Sequence, residues 1–377
     1  MAEDRTETVG DWLGLVHDLY PPAQAHDWDH VGLQVGAADW PVARVLVTLD
    51  VTTAVVAEAA EAPDTLVLAH HPLLFRPLAR LTPDTAPGRI ALAAARAGVA
   101  VAAAHTNLDV TGDGAGTSDP VARALGLVDP VPITTDLREH DQLKLVVFVP
   151  TGDTERVLDA LAAAGAGGVG DYERCSFRVT GTGTFRPGPG TDPHLGTVGE
   201  DAAVTEDRLE VEVPRRRVGA VVAALLAAHP YEEVAYDLYP RTTGATVGLG
   251  RVGDLPQPMP LRAVAARVRD ALPAPHTRVA GTPDRLVRRV AVVGGSGMSM
   301  VGAARAAGAD VLVTGDAKHH EVLDALELGL AVVDAGHHAT EAAALPAWVD
   351  RLTAGAQARG LTAPLVRSQV STVPWSA

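Results

Sequence analysis

The sequence predicts an α/β protein built of two similar α/β halves, with a ferredoxin-like α+β domain inserted between them. Three observations carry this. Short apolar β runs alternate with helical stretches toward both ends of the chain, a pattern that implies parallel sheets. The segment Arg44 to His71 overlays Arg289 to Asp316 residue for residue, with Leu68 on Val313 and His71 on Asp316. Between these segments a strand, a proline and a helix occur twice, and the copies align without gaps: Leu145 falls on Leu209, Pro150 on Pro214 and Leu161 on Leu225. Such duplication points to a ferredoxin-like unit. The expected boundaries are 1–137 for the first half, 138–242 for the insert and 243–377 for the second half.

Taken in order, Asp11 to Tyr20 has helical periodicity and stops at Pro21 and Pro22. Trp28 to Gly36 reads as a turn leading into a strand. Arg44 to Asp50 reads as a buried strand, Thr52 to Glu61 as a helix, and Thr65 to Ala69 as a second, parallel strand that ends in His70, His71 and Pro72. The helix Gly88 to Ala97 leads into the strand Val99 to Ala104, which ends in His105-Thr106-Asn107-Leu108-Asp109. In the insert, Leu143 to Pro150 is a strand, Thr154 to Ala164 a helix, Arg208 to Pro214 a strand, Val218 to Ala228 a helix and Val234 to Tyr239 a last strand. Gly181 to Gly190 is rich enough in glycine and proline to predict an irregular loop. Beyond it, Arg289 to Gly297 and Asp310 to Asp316 repeat the first pattern. Leu330 to Asp334 is the next strand, and a helix from Glu341 to Leu352 follows Ala335-Gly336-His337-His338.

Composition narrows the function. The chain has 377 residues, 47% of them hydrophobic, and a formal net charge of −15, which argues against a nucleic-acid surface. A single cysteine, Cys175, excludes an internal disulfide framework, fits a reducing compartment and reads as a packing residue. The acidic N-terminus precedes no long apolar core, and the longest apolar run, Ile90 to Ala104, is too short to span a bilayer. A cytoplasmic protein without a membrane partner is the expectation.

In parallel sheets, ligands collect outside the carboxyl ends of the strands. His70, His71, His105 and Asp109 sit there in the first half. Adjacent strand residues point to opposite faces, so two neighbouring histidines reach one site only where the strand gives way to a turn, as Pro72 suggests. In the second half His337 and Glu341 are four apart at a helix start and share a face. Taken singly, each has an ordinary structural role: a loop histidine, an Asx-turn carboxylate, a first-turn glutamate. Together, His70, His71, Asp109, His337 and Glu341 supply three imidazoles and two carboxylates, more than one ion needs. With one carboxylate bridging, Glu341 as the first choice and Asp109 as the alternative, the set suits two metals about 3.5–4 Å apart. Nitrogen and oxygen donors without thiolate favour zinc, manganese, iron, cobalt or nickel over calcium. Further candidates are Gly294 to Gly297 as a phosphate cradle, His105 and Lys318 as residues that contact a substrate or hold a metal ligand in place, and Asp316 as a residue that orients a histidine.

The motifs HHPLLF at His70, HTNLD at His105, TGDAKHHEVLDA at Thr314 and DAGHHATE at Asp334 resemble those of the Nif-three-like dinuclear-metal family, whose members are often named GTP cyclohydrolase one type two homologs. The likeness extends over nearly the whole chain, because GTGTFRPGPG and HPYEEVAYDLYP are similar to the insertion of the longer members. Two positions depart from the family: His30 stands where asparagine is usual and Val293 where cysteine is common. The resemblance implies a di-metal site at His70, His71, Asp109, His337 and Glu341, inside a toroidal homohexamer with the extra domains on its outer faces. It also implies a metal-dependent hydrolase acting on a nucleotide or other small molecule, with no nucleophilic Ser or Cys motif. The alternative is a regulatory or metal-handling hexamer whose insert binds a ligand or partner.

Overall fold

The computed structural model describes residues 6–375 apart from 113, 135–141, 170–171, 241–246, 273 and 275. The chain forms two compact units, one made of Met1–Asp136 with Thr246–Ala377 and the other of Leu137–Ala245. The expected junctions at 137/138 and 242/243 lie outside the described residues.

The larger unit is mixed α/β and contains two sheets. The first runs in the order Gly32–Val35, Ala100–Ala103, Thr65–Ala69, Arg44–Thr48, Leu365–Arg367. The second runs Arg278–Ala280, Ala331–Asp334, Val311–Gly315, Leu286–Ser296, Arg251–Pro260, Val128–Val131. In each, a central set of parallel strands is fully buried and apolar, as a sheet covered on both faces requires. The registers repeat as well, since Val45 pairs with Leu66 and Val290 with Val311, pairs that superpose in the sequence alignment. An antiparallel strand closes the same side of both sheets, Gly32–Val35 on Ala100–Ala103 and Arg278–Ala280 on Ala331–Asp334.

The N-terminal helix Val9–Leu19 starts on a capping box in which the Thr8 hydroxyl accepts from the Asp11 amide and the Asp11 carboxylate accepts from the Thr8 amide. Its apolar face, Trp12, Leu15 and Val16, packs with Trp348, Leu352 and Ala356 of the C-terminal helix Leu345–Arg359 against the first sheet. The helix expected over Glu341 to Leu352 is two helices, His337–Ala342 and Leu345–Arg359. The break falls just before Pro346, whose missing N–H is tolerated only in a first helical turn.

The smaller unit is a four-stranded antiparallel sheet in the order Ser176–Phe185, Ala202–Pro214, Gln142–Pro150, Tyr236–Pro240. Helices Thr154–Ala163 and Val218–Ala228 cover one face, and Leu145, Leu161, Leu209 and Leu225, the residues that align between the two sequence copies, meet in one core. Gly181 to Phe185 are therefore strand rather than loop; the irregular stretch begins only at Arg186. Cys175 is half-buried rather than a core residue.

Candidate metal centre

The site lies in the larger unit, where the carboxyl ends of strands Thr65–Ala69 and Ala100–Ala103 meet the start of helix His337–Ala342. His70 and His71 prolong their strand, their amides donating to the carbonyls of Thr48 and Leu49. The chain turns immediately afterwards, and the two rings come to rest with centroids 4.9 Å apart. His337 and Glu341 are one turn apart on their helix, with His337 Nε2 3.1 Å from Glu341 Oε2.

Each imidazole has its Nδ1 tied down. Nδ1 of His70 lies 3.1 Å from the Ala104 carbonyl, that of His71 2.8 Å from Asp50, that of His105 2.9 Å from Asp29, and that of His337 2.7 Å from Asp316. These acceptors fix the tautomer: Nδ1 carries the proton and Nε2 is left with a lone pair. The lone pairs converge. His71 Nε2 and His337 Nε2 are 3.2 Å apart, and both approach Oε2 of Glu341, His71 at 3.0 Å. His70 Nε2 is 3.7 Å from the other oxygen, Oε1, and 3.6 Å from Asp109 Oδ1. Buried His70 Nε2 and Glu341 Oε2 satisfy no hydrogen-bond geometry despite these short distances.

Acceptors facing acceptors in a buried site repel unless a proton or a cation lies among them. Donor separations of 3.0 to 3.7 Å sit near the edge of a coordination polyhedron, about 2.9–3.4 Å for metal–ligand bonds of about 2.0–2.1 Å. Two overlapping triads, His70 with His71 and His105, and His71 with His337 and Glu341, each bring their donor atoms within 4.8 Å. The residues fit a divalent metal.

Without metal, protons take the cation's place. Burial pushes the His71 imidazolium down, but the facing carboxylates of Asp50 and Glu341 reverse this and hold its pKa up at about 10. His337 is likewise depressed by burial and raised, by Glu341 and then Asp316, to about 9. Burial raises the pKa of Glu341, yet the facing imidazoles hold it well below the ordinary carboxylate range.

The structure brings all five expected residues together, and His105 joins them. Asp109 also accepts a 2.6 Å hydrogen bond from Thr117 Oγ1. Asp316 orients His337, and it does so from a left-handed backbone (φ 54°) that non-glycine residues seldom adopt. Lys318 is turned outward, its side chain 81% exposed and 3.7 Å from Glu321. The glycine cradle has a different task from phosphate binding. The amides of Gly294, Gly295 and Gly297 already donate to Ser118, Thr340 and Thr314 hydroxyls, and a Cβ on Gly295 would stand 2.1 Å from Glu341 Oε1. Gly295 makes room for the carboxylate, while Gly294 and Gly297 let the turn pack against Thr117 and Thr314. Sequence reasoning missed Asp29 and Asp50, whose orienting role follows no periodicity, and the half-exposed rings of Trp28 and Phe75, which lie 6.0 and 6.2 Å from His105.

Residues 7–374 match the family described as Duf34/NIF3 (NGG1p interacting factor 3). Relatives called "GTP cyclohydrolase 1 type 2 homolog" occur in Halalkalibacterium halodurans, 44% identical over 84% of this chain and 85% of the relative, and in Bacillus subtilis, 44% identical over 87% of each. The crystal structure of a Bacillus cereus protein related to NIF3 is 38% identical and covers 99% of this chain and 100% of its own, with a TM-score of 0.77. That of Staphylococcus aureus protein SA1388 is 27% identical over 98% of each chain, with a TM-score of 0.81.

Proposed function

We propose that this chain, which belongs to the Duf34/NIF3 family, holds two divalent metal ions and is a metal-dependent hydrolase of a small molecule with a flat ring. The observation that carries the reading is the convergence of Nε2 lone pairs, each enforced by an anchored Nδ1, on the buried Glu341 carboxylate. The ions would be held by His70, His71, Asp109, His337 and Glu341, with Glu341 the carboxylate they would share. When bound, such ions supply Lewis acidity to water and to an electrophilic carbonyl, ring carbon or phosphoryl group.

The protein's own groups do the rest. Asp50 and Asp316 hold the Nδ1 protons of His71 and His337, which aims each Nε2 inward and makes it a stronger donor. His105, held by Asp29, turns its own Nε2 toward the cluster and is the group that would accept or return a proton there. Trp28 and Phe75 beside it offer faces on which a planar ring stacks. The core is read as two similar α/β halves and the smaller unit as a ferredoxin-like insert, with boundaries near 137/138 and 242/243. The protein is read as a cytoplasmic homohexamer, as the resemblance in the motifs implies, and light scattering on the purified protein tests the hexamer.

A hydrolysis panel on metal-loaded protein tests the activity, with GTP, phosphodiesters and cyclic amides as substrates. Turnover of one class that disappears in His71→Ala supports the enzyme. A tightly metallated protein inert toward every class would leave the regulatory or metal-handling alternative.

A further inference from the structure

The smaller unit has its own cavity, of about 680 Å³, on the sheet face that no helix covers. That volume falls in the range of about 300–1,000 Å³ usual for small-molecule sites. Its walls come from the two motifs that the metal centre leaves unexplained, Gly181 to Pro187 and Tyr231 to Glu233. On the strand Ser176–Phe185, Gly181 and Gly183 stand where side chains would fill the floor. A Cβ on Gly183 would meet Glu206 Oε2 at 2.0 Å. Glycine inside a strand commonly marks a close approach of this kind.

Glu206 is the centre of the pocket. It is 8% exposed, and among the described residues its carboxylate accepts one hydrogen bond, 2.7 Å from the Tyr231 hydroxyl. Tyr231 is set by His229, whose Nε2 lies 2.9 Å from the Phe148 carbonyl and whose Nδ1 accepts from the Tyr231 amide. Burial first, and then the Glu206 carboxylate, push the Tyr231 phenol up, so it stays a donor. Phe185 and His194 flank the Tyr231 ring at 6.1 and 6.2 Å.

No cation is paired with Glu206 among the described residues. The lining guanidinium, Arg208, is bound to Glu210 at 3.0 Å and lies over the Phe148 ring. Glu232 and Glu233 add two more carboxylates to the rim. A buried carboxylate without a cation is costly, and aromatic walls favour a cation with a flat apolar body.

We propose that this cavity binds a small organic cation, an amidinium, guanidinium or protonated aminoheterocycle, whose N–H groups bond to Glu206 while its ring lies against Tyr231 and Phe185. The three carboxylates repel anions, so a phosphate-bearing ligand is excluded. This site is independent of the metal reading.

Benzamidine is a suitable probe and benzoate its anionic counterpart, titrated calorimetrically into the full-length protein. Benzamidine should bind, benzoate should not, and Glu206→Gln should weaken benzamidine by about tenfold or more, the loss expected for a charge-assisted hydrogen bond. An unchanged denaturant unfolding transition of the smaller unit would show that the variant is folded. Should the variant fail to fold, hydrogen exchange on wild type decides, because benzamidine must protect residues 181–185 and 229–235. Equal binding of benzoate, undiminished binding by Glu206→Gln, protection elsewhere, or no binding up to roughly 10 mM would each overturn the proposal.

Discussion

Glu341 and Glu206 are both buried carboxylates that intrude where a glycine has given up its side chain, yet their surroundings differ completely. Glu341 meets the Nε2 atoms of His70, His71 and His337, and a Cβ on Gly295 would touch it. Glu206 meets a phenol and aromatic rings, and its glycine is Gly183. Imidazoles anchored at Nδ1 make a nest for a metal ion, which needs lone pairs. A phenol donor and ring faces make a nest for a soft organic cation, which needs acceptors and π surface. The same problem, a carboxylate removed from water, has two chemical answers in one chain.

The largest effects should fall on the metal side. His71→Ala and His337→Ala should each remove at least half of the bound metal, measured by elemental analysis, because each takes away a donor from the same ion. Two variants that keep full metal would erase the distinction between the two glutamates. A core truncation on the other side, Leu209→Ala, should cost the smaller unit about 2–5 kcal/mol, read from its denaturant unfolding transition, while leaving metal content intact. Loss of metal in that variant would mean the two regions do not act separately.

Smaller changes sharpen the comparison. Asp50→Asn keeps the shape but removes the charge that anchors His71, and metal affinity should fall by about 10–100-fold, by competition with a chelating dye. pH gives the finest test. With metal stripped, His71 and His337 have folded pKa values raised from 6.5 to about 10 and about 9. Their contribution to stability is complete below pH 6.5 and is lost as pH rises through those values. The melting temperature of stripped protein should therefore decline from neutral pH to above pH 10, and metal-loaded protein should resist the decline because its imidazoles are already deprotonated. Parallel curves for the two forms would contradict this.

Much of the metal side was legible from the chain. Buried β runs ending in histidine or carboxylate identify the strand ends, and the motifs from HHPLLF to DAGHHATE lead to the family to which the chain belongs. What local pattern does not carry is the support. Asp29, Asp50 and the left-handed Asp316 act through geometry that arises only when distant segments pack. The strand Arg251–Pro260 also escapes a propensity reading, since Pro256, Pro258 and Pro260 argue against a sheet. It is tolerated because the ladder to Leu286–Ser296 shifts register between Asp254 and Met259, a stretch in which proline forfeits little pairing. Gly181 and Gly183 point in the opposite direction: they look like loop residues and lie in a strand, where Gly183 admits Glu206 into the cavity.

Elemental analysis of the purified full-length protein beside Glu341→Gln tests the dinuclear centre most directly. Close to two divalent ions per wild-type chain are expected, with a clear loss in the variant, because both ions would share that carboxylate. One ion per wild-type chain, or a Glu341→Gln protein that retains both, would contradict this.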